Sequence, residues 1–142
     1  MPTAGQILKA FDSQLKQDMI KYKAELAEFG SKLANPKSHF EPAHEYDFGD
    51  GYVSRAAYLK VCGIVLTALR NMPTSRHPTT PLTTDERLER ITAVVERELL
   101  NNARSVSKST SACANLIHHY ETACWAELLE NLHDPWNIRG VW

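Results

Sequence analysis

From Tyr52 to Met72 only Arg55, Lys60 and Arg70 carry charge, and the rest of the run is apolar or weakly polar. A helix that is apolar all round has to be surrounded by other elements. This run is therefore expected to form a central helix enclosed by its neighbours, with Tyr58, Val61, Cys62, Val65 and Leu69 along its axis. Ser54 is the expected N-cap, and Asn71-Met72-Pro73 the stop.

The flanks carry amphipathic patterns that can supply the enclosing helices. From Thr3 to about Leu33, Ile7, Phe11, Leu15, Met19, Tyr22, Leu26, Phe29 and Leu33 recur at steps of three or four, and Asn35-Pro36 ends the pattern. Thr83 followed by Glu86 reads as a capping box opening a helix with Leu88, Ile91, Val95, Leu99 and Val106 on its apolar side. A fourth helix, from about Ser109 to Leu132, carries Ile117, Cys124, Trp125, Leu128, Leu129 and Leu132, and Asp134-Pro135 closes it. Two segments break the periodicity. PKSHFEPAHEYDFGDG (36–51) holds two prolines and two glycines and reads as an ordered loop, while the proline- and threonine-rich stretch 73–84 reads as a surface connection. The expected fold class is all-α. It is a single-domain bundle over residues 1–142, with four main helices, a central apolar helix, an irregular 34–53 loop and an aromatic C-terminal tail.

Bulk composition narrows the function classes. The 16 Lys and Arg residues nearly balance the 17 Asp and Glu, which argues against a generally basic nucleic-acid binder. The 43% hydrophobic content is that of a chain with a core rather than a disordered tail. Cys62, Cys113 and Cys124 are odd in number and sit inside helical patterns, as reduced core thiols of a cytoplasmic protein would. The N-terminal residues are expected to be no secretory signal, lacking its apolar core, and no run of about 18 apolar residues is expected to span a membrane.

Chemistry-bearing residues are sparse. Glu130 and His133 have the Glu-x-x-His spacing of a ferritin-like di-metal helix, and Glu41 and His44 repeat it, but on a helical wheel Glu130 and His133 face away from the apolar side. Glu121 is different: at about 100° per residue it falls in the middle of the apolar sector, near His118 and Trp125. A carboxylate there must be paired or protonated. An ion pair or hydrogen bond to Arg55, Arg70 or a tyrosine would fix helix register, whereas a general acid or base would use His118 or His119 as companion. The cysteines have no electropositive, accessible setting that would mark a nucleophile. Asp47-Phe48-Gly49 matches a kinase triplet in letters only, since the other kinase signatures are absent. No catalytic residue, cofactor or metal is expected.

Charge is distributed unevenly. Glu41, Glu45, Asp47 and Asp50 lie in a stretch without Lys or Arg, among the aromatics Tyr46, Phe48 and Tyr52. Such a segment either folds against the basic end of the neighbouring helix or meets a basic protein partner, aromatics supplying burial and carboxylates steering. Trp136, Ile138, Val141 and Trp142 make the tail apolar enough to require docking, on the bundle, on a second copy or on another protein. The leading expectation is a small cytoplasmic protein–protein interaction module (regulator, adaptor or inhibitor), in the manner of a phage or mobile-element accessory protein. It would have no activity of its own, and would bind a protein partner or form a homodimer through the acidic-aromatic loop and the Trp-rich tail. The alternatives are a helical enzyme or metal protein built on Glu121 and His118 or His119, and a nucleic-acid-associated factor using the bases of 9–32 and 55–76.

Overall fold

The computed structural model describes residues 2–34, 42–72, 75–77, 80–108 and 112–138, with side chains over 2–31, 51–72, 80–105 and 114–138. Four helices make the bundle: α1 (Ala4–Ala34), α2 (Pro42–Asn71), α3 (Thr84–Lys108) and α4 (Ala112–His133). Strands β1 (Ser75–His77) and β2 (Thr80–Pro81) pair antiparallel within the link from α2 to α3, and a 3₁₀ turn, Pro135–Asn137, follows α4.

Local chemistry explains where the helices begin. Thr3 and Gln6 form a reciprocal capping box on α1: the Gln6 amide donates to Thr3 Oγ1 at 3.2 Å, and the Thr3 amide donates to Gln6 Oε1 at 2.9 Å. On α3, Glu86 N donates to Thr83 Oγ1 at 3.2 Å, as its Thr-x-x-Glu spacing predicts, and Asp85 and Glu86 place negative charge at the positive end of the helix dipole.

Three expectations need correction. The irregular segment 34–53 is in large part helical, because α2 begins at Pro42. Proline fits the first helical turn, where its missing N–H would have no intrahelical acceptor, so Pro42 opens the helix instead of excluding it. Ser54 is consequently no N-cap. It lies three turns inside α2, and its hydroxyl donates to the Gly51 carbonyl at 3.0 Å. Finally, α2 is not enclosed on all sides. Ala57, Val61, Cys62 and Val65 are buried, but Lys60, Ile64, Thr67 and Asn71 form an outer stripe open to solvent. Gly51–Asn71, at mean hydropathy 1.3 over its most apolar window, is long and apolar enough to cross a membrane by length and composition, its three basic residues notwithstanding.

The order of packing follows from the contacts between elements. α1 packs on α2, α2 on α4, α4 on α3 and α3 on α1, leaving α1–α4 and α2–α3 as the diagonals. Tyr22 stacks on Tyr58 with ring centroids 5.5 Å apart, and Glu25 pairs with Arg55, so α1 and α2 run antiparallel. Lys60 pairs with Glu121 and, further along both helices, Cys62 with Cys124, so α2 and α4 run parallel. The link carrying β1 and β2 thus joins two diagonal helices. Within the ring, Phe11, Leu15, Val61, Val65, Ile91, Val95 and Trp125 are almost completely buried. Each such side chain contributes roughly 1.5–3 kcal/mol through apolar burial. Ile138, just beyond the 3₁₀ turn, is buried in the same core.

Candidate functional site

Two surface features flank α2, one on its α4 side and one on its α1 side. The first surrounds Glu121, the only buried charged residue among those described. Its Oε1 accepts from Lys60 Nζ at 2.9 Å, and its Oε2 lies 3.9 Å from His118 Nδ1, which has no hydrogen-bond partner. Burial of Glu121 follows from its place in the apolar sector of α4. Its partner is neither Arg55 nor Arg70. Lys60 sits on the outer stripe of α2, and its flexible stem carries the ammonium back over the edge of the helix to the carboxylate.

Arg55 instead clamps α1 to α2. Its guanidinium pairs with Glu25, donates to the Gly51 carbonyl at 3.2 Å and lies 5.3 Å from the centre of the Phe29 ring. His119 is exposed and turned edge-on to Tyr120, so it does not join His118 at the carboxylate. Glu130 is exposed, and His133 faces Glu96 of α3 at 3.8 Å. Among the described residues no group of three His, Cys, Asp or Glu side chains is placed to hold a metal ion.

Beside Glu121 a cleft of about 320 Å³ opens between α2 and α4, walled by Tyr52, Val53, Ala56, Lys60 and Ile117. Tyr52 is 41% exposed and Ile117 43%. Ile117 was expected in the apolar stripe of α4; it lies instead at the rim of this cleft. Leu116, one residue earlier, is equally open. Of the acidic-aromatic segment, Glu41 lies outside the described residues. Glu45, Tyr46, Asp47, Phe48 and Asp50 fall on the first turns of α2, where side chains are outside the description. In the tail, Trp136 is 58% exposed on the 3₁₀ turn, and Val141 and Trp142 lie outside the described residues.

The second feature is a groove of about 730 Å³ between α1 and α2, floored by Leu8, Met19, Leu66 and Leu69. Lys9, Lys16 and Lys23 line its α1 edge, and Arg70 and Arg87 stand at one end. Of the bases of 9–32, these three form one row along the helix. Their seven-residue spacing was the available signal.

No family model, curated protein or solved structure matches this chain.

Inside the bundle, Cys62 and Cys124 are reduced, buried and hydrogen-bonded to one another across α2 and α4. That hydrogen bond, followed by burial, raises the Cys124 thiol far above its ordinary range. Burial also raises the stacked phenols of Tyr22 and Tyr58, with the nearby carboxylates of Asp18 and Glu127 adding to the shift at Tyr22 and that of Glu127 at Tyr58. A thiol held in its protonated state, as that of Cys124 is, is an inert core residue.

Proposed function

We propose that the protein is a protein-binding module without catalytic activity of its own, taking up a basic segment of a partner on its α2–α4 face. The observation that carries this reading is the open cleft between Tyr52 and Ile117. Two large apolar side chains stand exposed at its rim. A partner's aliphatic side chain seated there would remove both from water, the kind of central anchor on which interfaces depend. The run from Glu41 to Asp50, four carboxylates with no Lys or Arg, leads into the same helix and supplies attraction for a basic chain. Trp136 adds a further exposed aromatic at the C-terminal side of α4. Pairing of Glu121 with Lys60 supports a structural role for that carboxylate, and two reduced core thiols support a cytoplasmic setting.

The test is cross-linking mass spectrometry on captured complexes, comparing the unaltered protein with Tyr52→Ala and Ile117→Ser. Basic peptides cross-linked near residues 41–60 in the unaltered protein, and lost in both variants while their helical circular dichroism persists, are the expected result. Capture that is indifferent to both substitutions removes this surface from consideration. Light scattering distinguishes a second copy from a foreign partner.

A further inference from the structure

The groove between α1 and α2 points to a second ligand of opposite charge. We infer that it receives an acidic amphipathic α-helix from a partner protein, aligned along α1 with its carboxylates on the lysine row. This goes beyond the α2–α4 face, since it concerns the other flank of α2 and a different partner chemistry.

Length is the first argument. From Leu8 to Lys23 the groove follows α1 for about 22 Å at 1.5 Å per residue, or four helical turns. Leu8, Met19, Leu66 and Leu69 give it apolar ground, α2 lining it over the turn from Leu66 to Arg70, and such a surface can seat the apolar stripe of a further helix. Ile20, 71% exposed at the edge, is left to be covered by such a helix.

Charge spacing is the second. Lys9, Lys16 and Lys23 stand seven residues apart on one edge, all exposed. A heptad interval keeps residues facing a neighbour that winds around the helix with the shallow supercoil of a coiled coil. Glu or Asp at the same interval on the incoming helix meets one lysine every two turns, about 10 Å apart. Among the residues lining the groove, five cations face one carboxylate, Asp12, which already pairs with Lys16 at 2.8 Å. Lys9, Lys23, Arg70 and Arg87 have no carboxylate partner among the described residues. A nucleic acid would use these cations but leave Leu8, Met19, Leu66 and Leu69 without contact, so the combination favours a helix bearing both acid and apolar residues.

The probe is a synthetic four-turn peptide with Leu at heptad core positions and Glu at one flanking position of every heptad, measured by fluorescence anisotropy. Three controls accompany it: the same composition with scrambled Glu register, an oligoglutamate without Leu, and a random DNA duplex. Saturable binding of the heptad peptide is expected to be at least tenfold tighter than that of any control. It should weaken at least tenfold in Lys9→Glu/Lys16→Glu/Lys23→Glu and return when the peptide's Glu residues are replaced by Lys. These lysines are exposed, so circular dichroism should be unchanged, and the recovery with the charge-reversed peptide separates recognition from misfolding. Failure of the heptad peptide to bind, equal binding of the scrambled peptide or oligoglutamate, or preference for the duplex would overturn the inference. So would a dimer of the protein that the same triple variant dissolves, since the occupant would then be a second copy. The triple variant leaves Tyr52 and Ile117 intact, so its outcome is independent of the α2–α4 reading.

Discussion

Lys60 on α2 and Glu121 on α4 form an ion pair of 2.9 Å in which the ammonium is largely in solvent and the carboxylate is almost wholly out of it. The asymmetry gives the two ends different consequences. Removing the lysine leaves a desolvated acid, whereas removing both charges leaves an apolar contact between parallel helices. Because 61% of the lysine side chain is exposed, solvent screening holds the cost of its loss to about 1–2 kcal/mol. Urea denaturation of Lys60→Met should show that loss, and Lys60→Met/Glu121→Leu should recover most of it. A double variant as unstable as the sum of its singles would mean that the pair does not act as a unit.

Alkaline conditions should weaken the fold through the groups around Cys62. Cys124, Tyr22 and Tyr58 all hold their protons more tightly when folded than when unfolded. Between the two values the folded state binds more protons, so unfolding free energy falls with rising pH. Their contribution is fully present below the unfolded thiol value of 9.0 and is lost progressively above it, with the phenols joining above 10.0. Denaturant midpoints measured from pH 7 to pH 11 should be flat at first and then fall. A midpoint that rises above pH 9 would contradict this account.

Thiol chemistry gives a kinetic counterpart. Cys62 and Cys124 are each 2% exposed, so an aromatic disulfide reagent should reach them only when the bundle opens. In a Cys113→Ser background, the labelling rate should follow the unfolding equilibrium as urea is raised. Rapid labelling of the native protein would show that α2 and α4 part far more easily than their packing implies.

Two helical glycines should respond differently to alanine. A Cβ at Gly30 meets nothing within 4 Å, so Gly30→Ala should stabilise the protein by roughly 0.5–1 kcal/mol through helix propensity. A Cβ at Gly51 would stand 3.2 Å from Phe29 Cζ and 3.4 Å from Arg55 Nη1, crowding the clamp between α1 and α2. Gly51→Ala should therefore gain less than Gly30→Ala or lose stability outright, as thermal melts of the two variants would report. Equal gains would show that the Phe29 ring moves aside freely.

The sequence made the helical class legible because periodicity reports one-sided burial: Phe11, Leu15, Ile91 and Val95 lie where the apolar pattern puts them. The burial of Glu121 was legible for the same reason, since its neighbours on the wheel, Cys124, Trp125 and Leu128, are buried. Lys60 was not legible as its partner, because a pairing between residues 60 and 121 depends on α2 and α4 being parallel neighbours, and local pattern carries no information about ring order. Pro42 misled through its usual meaning as a breaker, which does not apply in the first helical turn. Ile117 misled because its periodicity with Glu121 and Trp125 does not say where the edge of a buried stripe falls. The row Lys9, Lys16, Lys23 was visible as spacing, but it acquired a role only when α2 supplied the opposite wall of a groove.

The diagonal link between α2 and α3 divides the molecule into two antiparallel hairpins. Each hairpin holds one bank of the Val61–Trp125 seam, and the tether between them lies at a single end of the ring. A cut between Met72 and Thr80 would sever only that tether, leaving halves with complementary apolar faces that would have to recombine to stay dry. The protein is in this sense a covalently tied heterodimer, and the same exchange between intact chains offers a route to swapped assemblies.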